Sequence, residues 1–336
     1  MKKNITMKDI ATKLNISTVT VSKALTDKEG VGDELRRKIK ELADEMGYRY
    51  NSLARDMKEG KSSNIGIIVS ERFMKEYGFY MNAYGYCVKA LAAHNYYGIM
   101  EIISTQMEAD LVVPNVLRDN KVDGLIMLGQ VSAEYLHIIK ASSLHFVQLD
   151  FYNEREEADA ILSDNLYGSY VTTNYLVELG HKKIGFVGNK MATSSILDRY
   201  LGYYKALLEN DLSFREEWII KDRNINGEFV DLILPDTMPT AFVCNCDEVA
   251  YHLVRKLKNE GYIIPEDVSV VGFDNFIYST LSSPAITTFE VDMKAMAEIA
   301  VETIVKRIEK PSQSNSRKVV SGKIIIRDSC APPRNE

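Results

Sequence analysis

Several short apolar runs in this chain of 336 residues end in polar side chains that could hold a small ligand. Ser70 follows the run IGIIV, Asp150 ends VQLD, Asp274 ends VVGFD, and residues 245–247 follow AFVC. A carboxylate can accept several hydrogen bonds, so groups of this kind suit the hydroxyls of a polyol. Ligands of open α/β sheets bind outside the carboxyl ends of the strands, so these positions are candidate ligand contacts.

A second group of polar side chains lies near the N-terminus, in the stretch ISTVTVSKAL that covers residues 16–25. Alternating apolar and polar residues, many of them β-branched, are typical of a half-buried strand. In a helix, residues two apart point to opposite sides, so Val21 would join a core while Val19 would face outward. The outward face would also carry three polar side chains, those of Thr18, Ser22 and Lys23.

The neighbouring segments favour the helix, because they provide no strand that could pair with this stretch. Thr6 and Asp9 form a capping-box-like start for a helix in TMKDIATKL. The segment GDELRRKIKELADEMGY has an apolar stripe of helical period and ends at Gly47. Three short helices, two of them joined by a tight turn, predict an all-α helix-turn-helix unit in residues 1–50.

From Ile65 onwards the pattern changes to short apolar runs between amphipathic segments of helical length. The runs are IGIIV, YGIMEII, GLIMLG, HFVQLD, KIGFVG, TAFVCN and VSVVGFDN. Buried runs that alternate with helices predict an α/β fold with parallel sheets, here long enough for two lobes that meet near residue 160. The polar segment SQSNSRK, residues 312–318, is expected to form a surface loop.

Charge is distributed unevenly along the chain, although the total is only −6. Residues 1–61 carry a net charge of +4, so the remainder carries −10. A basic N-terminal segment on an acidic body is expected of a nucleic-acid-binding head on a soluble sensor or enzyme. The excess is small, and a solvated charged face would account for it equally well.

The composition predicts a cytoplasmic protein. No run approaches the roughly 18 apolar residues that span a bilayer, and charged residues replace the apolar segment of a signal peptide. The four cysteines fit a reducing compartment. Cys244 and Cys246 form a C-x-C pair without a nearby histidine, which favours small buried residues over a metal site.

The chain resembles the LacI/GalR (lactose-repressor) family of bacterial transcription regulators along essentially its whole length. The matching segments are TMKDIATKLNISTVTVSKAL, NSLARDM, LVELGHKKIGFVG, and IPEDVSVVGFDN followed by SSPAITT. The resemblance implies a helix-turn-helix head in 1–50, a hinge helix with linker in 51–63, and a two-lobed core in 64–336 like that of the periplasmic binding proteins. The lobes would cover about 64–160 plus 291–318, and 161–290 plus 319–330. It further implies a homodimer on a palindromic operator in double-stranded DNA, with no membrane contact.

For the DNA, the resemblance implies a division of roles among the side chains of the head and hinge. Thr18, Val19 and Lys23 would face bases, where Lys23 can donate to guanine and Val19 can contact a thymine methyl. The remaining DNA contacts would come from Thr6, Ser17, Thr20 and Ser22 in the head and from Asn51, Arg55 and Met57 in the hinge. Met57 replaces the leucine that the family inserts at the operator centre, and as a flexible apolar side chain it can still act as a wedge.

For the effector, the resemblance implies a site between the lobes that is formed by Ser70, Tyr80, Asp150, Arg199, Asp247 and Asp274. Carboxylates with an arginine suit the adjacent hydroxyls of a sugar, and an aromatic ring completes such a site. The family usually has Asn-Asp where this chain has Cys246-Asp247, so its effector is expected to differ from those of typical relatives. No cofactor or metal is expected.

Three other protein classes are alternatives to this assignment. An enzyme is disfavoured because the chain lacks G-x-G-x-x-G after a strand, the P-loop, H-E-x-x-H and G-x-S-x-G, and because His181 lies in a turn where a structural role fits better. A transported sugar-binding protein would need a signal peptide and no DNA-binding head. A DNA-binding regulator controlled by a protein partner, or by no effector, stays open.

Overall fold

The chain divides into two compact units, residues 1–62 and residues 63–336. The computed structural model describes residues 5–48, 61–74, 78–153, 158–224 and 227–334. No helix within these ranges is both long and apolar enough to cross a membrane.

The first unit is built from three helices, α1 (Met7–Leu14), α2 (Thr18–Leu25) and α3 (Asp33–Glu45). Thr6 and Asp9 form a reciprocal capping box at the start of α1, and Asn15 ends it in a left-handed conformation. Ser17 caps α2 by accepting a hydrogen bond from the backbone of Thr20. The predicted helix-turn-helix unit is therefore confirmed.

The stretch ISTVTVSKAL is helical from Thr18 onwards. Val21 is fully buried in a cluster with Ile10 and Ile39, whereas Val19 is 63% exposed. The packing of the three helices thus overrides the local β-propensity of the stretch.

The second unit contains two six-stranded sheets, each at the centre of one lobe. In the first lobe the strands are all parallel, with the spatial order β11-β5-β4-β3-β1-β2. Their bounds are β1 (Asn64–Ser70), β2 (Tyr97–Ile103), β3 (Gly124–Leu128), β4 (Phe146–Leu149), β5 (Asp159–Ser163) and β11 (Arg317–Val320).

The sheet of the second lobe has the order β12-β10-β9-β8-β6-β7 and is parallel except for its edge strand β12. Its strands are β6 (Ile184–Val187), β7 (Ile219–Ile220), β8 (Ala241–Cys244), β9 (Ser269–Asp274), β10 (Thr287–Glu290) and β12 (Lys323–Ile325). The two sheets confirm the predicted α/β class with parallel sheets.

Helices connect the strands and bury their own apolar stripes against the sheets. The first lobe carries α4 (Glu71–Met74), α5 (Phe79–Ala93), α6 (Thr105–Ala109), α7 (Asn115–Arg118), α8 (Ala133–Ala141) and α13 (Met293–Glu309). The second lobe carries α9 (Asn165–Glu178), α10 (Ser194–Glu209), α11 (Asp247–Asn259) and α12 (Ile277–Leu281). Because α13 packs on α5 and on strands of the first sheet, the chain crosses between the lobes after β5, β10 and β11.

Three details differ from the sequence prediction. Five of the strands, β5, β7, β10, β11 and β12, are absent from the apolar runs, because they are short or carry polar residues. The expected loop 312–318 gives its last two residues to β11. In the first sheet, β5 ends at Ser163 and β11 ends at Val320. The crossings after these two strands therefore lie a few residues beyond the expected lobe boundaries at 160 and 318.

Candidate functional site

The outward face of α2 presents hydroxyl, apolar and ammonium groups side by side. Thr18, Val19 and Lys23 are exposed there, while Ser22 is half-buried. In the first turn the hydroxyls of Ser17 and Thr20 lie 2.8 Å apart and bond to one another. These hydroxyls therefore already stabilise the start of the helix, and a DNA phosphate would have to share them.

Thr6 is engaged in a similar way at the start of α1. Its hydroxyl donates to Asp9 Oδ2 at 2.7 Å, and its backbone N–H donates to the same oxygen at 2.8 Å. The hinge residues Asn51, Arg55 and Met57 lie outside the described residues, so their expected DNA contacts stay predictions.

Four of the six expected effector contacts come together in a cleft between the lobes. Tyr80 and Asp150 belong to the first lobe, whereas Arg199 and Asp274 belong to the second. The cleft is narrow, with a volume of about 50 Å³. The Tyr80 hydroxyl donates to Asp150 Oδ2 at 3.1 Å, which fixes both side chains on their wall.

Arg199 is held at the cleft by partners on three elements. Its Nε donates to Asn165 Oδ1 at 2.8 Å, and its Nη1 donates to the carbonyl of Asn245 at 2.5 Å. Its Nη2 lies 3.2 Å from Asp274 Oδ1, and the ring of Phe273 covers one face of the guanidinium at 3.9 Å. An arginine has five N–H donors, so a ligand in the cleft could share this guanidinium with the protein partners.

The two aspartates of the cleft have positive φ angles at strand ends: φ is 70° at Asp150, directly after β4, and 104° at Asp274, the last residue of β9. Residues other than glycine rarely adopt this conformation and concentrate it at functional sites. A positive φ changes the direction of the backbone at each strand end, and with it the direction of the side chain. Both carboxylates thereby line the cleft instead of continuing the sheet pattern.

Asp247, an expected effector contact, lies behind the cleft wall and not in it. It is 1% exposed, and its carboxylate accepts hydrogen bonds from the backbone of Phe276 and from the hydroxyl of Thr288, both at 2.6 Å. Burial, and then the charge of Asp274, raise the pKa of this carboxyl well above its ordinary value. Asp247 therefore supports the loop after β9.

Ser70 is also placed away from the cleft. Its hydroxyl donates to Glu108 Oε2 at 3.1 Å, and the other oxygen of Glu108 accepts from the backbone of Ser132 at 2.7 Å. Side chains two apart in a strand share a face, and Ile68 packs in the apolar cluster on this side of the sheet. The strand period thus directs Ser70 into the first lobe.

A larger depression of about 920 Å³ lies elsewhere on the second lobe, between residues 229–234 and α11. None of the predicted ligand contacts lines it, and Lys256 on its wall is already paired with Glu260 at 3.0 Å. The small cleft is the better candidate site, because it lies between the lobes and side chains of both lobes converge on it, among them two buried arginines.

Comparison with known proteins agrees with the helix-turn-helix head and with the α/β core. Residues 6–51 match the model of "Bacterial regulatory proteins, lacI family", and residues 173–330 match that of a periplasmic binding protein-like domain. The chain is a member of the LacI family. As a LacI-family member it is a DNA-binding transcription regulator.

Individual LacI-family proteins match almost the whole chain. The ribose operon repressor of Haemophilus influenzae is 29% identical over 331 residues, which covers 96% of this chain and 98% of that protein. The lac repressor dimer, solved bound to operator and the anti-inducer ONPF, has a TM-score of 0.78 at 18% identity, over 98% of this chain and 100% of that one. A LacI-family regulator from Enterococcus faecium, solved with bound ribose, has a TM-score of 0.65 at 22% identity, over 80% of this chain and 99% of that one.

The LacI-family cleft of this chain contains residues that sequence reasoning did not single out. They are Phe79, Thr193, Ser195, Ile196 and Arg223. Arg223 follows the two-residue strand β7, which is too short for a recognisable apolar run. The others stand in loops or helices, where no strand end marks them.

Arg223 is the second buried guanidinium of the cleft, at 5% exposure. Its Nε donates to Asp222 Oδ2 at 2.7 Å. The carboxylate of Asp222 also accepts from the backbone of Asn189 at 2.7 Å and from Asn245 Nδ2 at 2.9 Å. The framework of the second lobe therefore fixes where this arginine stands.

Three residues discussed from the sequence, Cys244, Cys246 and His181, have structural surroundings in this LacI-family fold. Cys244 and Cys246 are buried in the apolar cluster of the second lobe, and Cys246 also lines the cleft. His181 lies 2.8 Å from the Thr240 hydroxyl and 3.0 Å from the carbonyl of Ala331, and burial lowers its pKa. Across the described ranges, no group of three or more acidic, histidine or cysteine side chains could hold a metal ion.

Proposed function

We propose that this LacI-family regulator is a cytoplasmic repressor of carbohydrate uptake or catabolism genes, switched by a neutral sugar that binds in the cleft between the lobes. The observation that carries the proposal is the convergence of Asp150, Arg199, Asp274 and Tyr80 on one cleft. Arginine and carboxylates together can donate to and accept from adjacent hydroxyls. The names of the ribose operon repressor and of the ribose-bound regulator support a monosaccharide.

The charges of the cleft favour an uncharged ligand. Arg199 lies 3.2 Å from Asp274, and Arg223 lies 2.7 Å from Asp222, so each guanidinium already has a carboxylate. Asp150 adds one more carboxylate on the opposite wall. An anionic ligand would meet no excess of positive charge here, which disfavours sugar phosphates.

The narrow cleft also indicates how the ligand would act. Gln130 of the first lobe accepts a hydrogen bond from the backbone of Ser194 in the second at 2.8 Å, and Tyr152 donates to Asp198 at 3.2 Å. At about 50 Å³ the cleft is smaller than the roughly 300–1,000 Å³ of ligand pockets, so the lobes must separate to admit a sugar, and a sugar that contacts both walls would set their spacing. By linkage, a ligand that prefers one lobe arrangement shifts the equilibrium between forms that bind DNA and forms that do not.

The regulator would act as a homodimer on a palindromic operator, with the exposed side chains of α2 in the major groove. Two exposed apolar side chains on one face of α12 support self-association, since Ile277 and Leu281 lie four residues apart in the helix and are 54% and 61% exposed. Apolar groups that cluster on a surface are typical of protein interfaces. Its activity would consist of binding and not of catalysis.

A thermal-shift screen of the full chain tests the effector. We expect D-ribose or another neutral monosaccharide to raise the melting temperature, while sugar phosphates and nucleobases do not. By mass action, a ligand at 100 times its dissociation constant adds about 2.7 kcal/mol to the free energy of unfolding. If only a nucleobase or a phosphorylated sugar shifts the melting temperature, the neutral-sugar proposal is wrong.

The same screen distinguishes the sugar-controlled regulator from the alternative, a regulator without a small-molecule effector. A regulator controlled by a protein partner, or by no effector, would bind a selected palindromic duplex but would show no shift with any small molecule of the panel.

A further inference from the structure

The side chain of Arg36, in the first turn of α3, connects that helix to the end of α2. Its Nη1 donates to the carbonyls of Lys23 at 3.4 Å and Ala24 at 3.5 Å, in the last turn of α2. Its Nη2 donates to the carbonyls of Lys28 at 2.8 Å and Val31 at 3.2 Å, in the loop that follows. With a side chain only 18% exposed, Arg36 is embedded under this loop.

The hydrogen bonds from Arg36 supply donors to backbone carbonyls at the end of α2. The last carbonyls of a helix have no intrahelical donor, and a cation at this end also interacts favourably with the helix dipole. A planar guanidinium can reach several oxygens at once in a fixed geometry, which a single ammonium cannot do. Arg36 therefore fixes the end of α2 and the following loop against α3.

A second cation of α3 acts on the same loop. Asp27 has a left-handed backbone, with φ of 52°, and its carboxylate lies 3.3 Å from Arg36 Nη1. Lys40, one turn after Arg36, donates to both oxygens of Asp27 at 2.8 and 2.9 Å. The loop between the two helices is thus anchored from α3 at two successive turns.

The anchored loop lies beside Lys23, the strongest hydrogen-bond donor on the exposed face of α2. Gly30 of this loop has φ of 91°, and a Cβ built on it would lie 3.4 Å from Lys23 Nζ. The loop therefore forms one wall next to the Lys23 ammonium. A loop that moved would change both the end of α2 and the space open to this side chain.

We propose that Arg36 is a positioning residue for DNA recognition. It holds α2 and the adjoining loop in one arrangement, so that the exposed side chains of α2 meet base edges at defined positions. The inference rests on the proposed placement of α2 in the major groove, and it assigns Arg36 no contact with DNA.

The experiment compares two neighbouring arginines in the full-length chain. A palindromic duplex is first selected from random DNA, and the dissociation constants for it and for a scrambled duplex are measured at several salt concentrations. For Arg36→Gln we expect the ratio of the two constants to fall at least tenfold, with an unchanged salt slope for the scrambled duplex. For Arg37→Gln we expect an unchanged ratio, because Arg37 is 66% exposed and pairs with Glu41 on the surface of α3.

A purely structural role would give a different result. Hydrogen exchange of the peptides that cover α2 and α3, followed by mass spectrometry, shows at which temperature the Arg36→Gln head is folded. An unchanged ratio below that temperature overturns the proposal. The salt dependence gives a second test. If the slope of log K against log salt falls by about the contribution of one phosphate contact while the ratio of dissociation constants is unchanged, the proposal is overturned, because Arg36 would then contact a phosphate.

Two more variants keep the proposal testable if Arg36→Gln does not fold. Arg36→Lys should restore part of the ratio at most, since lysine lacks the planar fork. In Asp27→Asn, the asparagine can adopt the left-handed backbone but lacks the charge that Arg36 and Lys40 bind. The ratio of dissociation constants should therefore fall, but by less than in Arg36→Gln. A ratio that Asp27→Asn leaves at the wild-type value overturns the positioning role.

Lys23→Ala, measured in parallel, separates this inference from the proposed base contacts. If Lys23→Ala leaves every base preference unchanged while Arg36→Gln lowers the ratio, the assigned contact is wrong and the positioning role holds. A selection that enriches no sequence refutes operator recognition by α2, and with it the role of Arg36.

Discussion

Arg199 illustrates how a buried charge is tolerated at a candidate binding site. Asn165, Asn245 and Asp274 each occupy one side of its guanidinium, and a ring covers one face. Burying an ion pair costs several kcal/mol per ion in desolvation, and hydrogen bonds of this kind offset that cost. The result is a donor whose direction is fixed before any ligand arrives.

We therefore predict that Arg199→Gln removes the sugar-induced thermal shift while the full chain still binds the selected duplex. The loss follows from the missing donors and from the displaced carboxylate of Asp274. Removing one partner of a buried pair also lowers the free energy of unfolding by about 3–5 kcal/mol. Isothermal titration with D-ribose and chemical denaturation measure the two effects.

Arg215→Gln provides the control for this prediction. Arg215 belongs to the same lobe and pairs with Glu217 at 3.2 Å on the surface. Its substitution should change neither sugar affinity nor stability by more than the 0–1 kcal/mol of a surface ion pair. Wild-type sugar affinity in Arg199→Gln would contradict its assigned role.

At the scale of elements, the loop that follows β9 combines an uncommon backbone conformation with a buried carboxylate that supports it. Asp274 and Asn275 have successive positive φ angles of 104° and 53°. Asp247 holds the next residue, Phe276, through its backbone N–H at 2.6 Å. The loop thereby presents Asp274 to Arg199 and the ring of Phe276 to the first lobe.

Asp247 should make stability depend on pH. Its pKa in the folded protein is raised, mainly by burial, so the folded state holds a proton that the unfolded state releases above about pH 4. The free energy of unfolding should therefore decrease as the pH rises from the unfolded pKa towards the folded one. Asp247→Asn keeps the shape of the protonated carboxyl and should remove this part of the pH dependence, which urea denaturation at a series of pH values measures.

Asp222→Asn is the comparison for this experiment, because Asp222 is equally buried but pairs with Arg223. There the substitution should lower the free energy of unfolding at neutral pH, since it removes the charge that balances an arginine. A pH profile that is identical in Asp247→Asn and wild type would show that Asp247 does not titrate in the expected range.

Periodicity accounts for what the sequence predicted well. Val19 and Val21 separate onto two sides of α2 as helical geometry requires, and the longer apolar runs all become strands. The resemblance to the LacI/GalR family, and not periodicity, placed Tyr80, Asp150, Arg199 and Asp274 at one site, and these four residues do line one cleft. Their roles towards an effector stay predictions.

The sequence did not predict which side chains near the strand ends point into the cleft. Ser70 and Asp247 stand at the expected end of their sheets, but one points into the first lobe and the other supports a loop. Arg223 follows a strand of two residues, which no pattern marks. Each case depends on a backbone turn or a tertiary partner that spacing along the chain does not contain.

At the scale of the molecule, the two lobes are in close van der Waals contact at Gly78 and Phe276. Gly78 of the first lobe lies against the ring of Phe276, and a Cβ on Gly78 would come within 1.9 Å of its Cζ. Phe79 meets the same ring edge to face, with 6.4 Å between the ring centroids. Closure of the lobes therefore depends on the absence of a side chain at position 78.

We predict that Gly78→Ala disfavours the closed arrangement. The added methyl would clash with Phe276, so the lobes would have to separate or the ring would have to turn. Small-angle scattering of the sugar-saturated protein should show a larger radius of gyration than in wild type, and sugar affinity should fall about tenfold or more.

Gly78→Ala combined with Phe276→Ala is the matched control, because the smaller side chain removes the clash. Closure should then recover in scattering, although the lost ring contact will leave affinity below that of wild type. An unchanged radius of gyration and affinity in Gly78→Ala alone would show that this contact does not limit closure.

The late position of β11 in the chain has a consequence for synthesis. The sheet of the first lobe needs β11 beside β5, yet about 150 residues separate Ser163 from Arg317. At about 5–20 residues per second, the ribosome needs roughly 8–30 s to make them. During this interval the nascent first lobe has an open strand edge and lacks α13 on one face, so the chain must avoid aggregation on the ribosome before it can regulate anything.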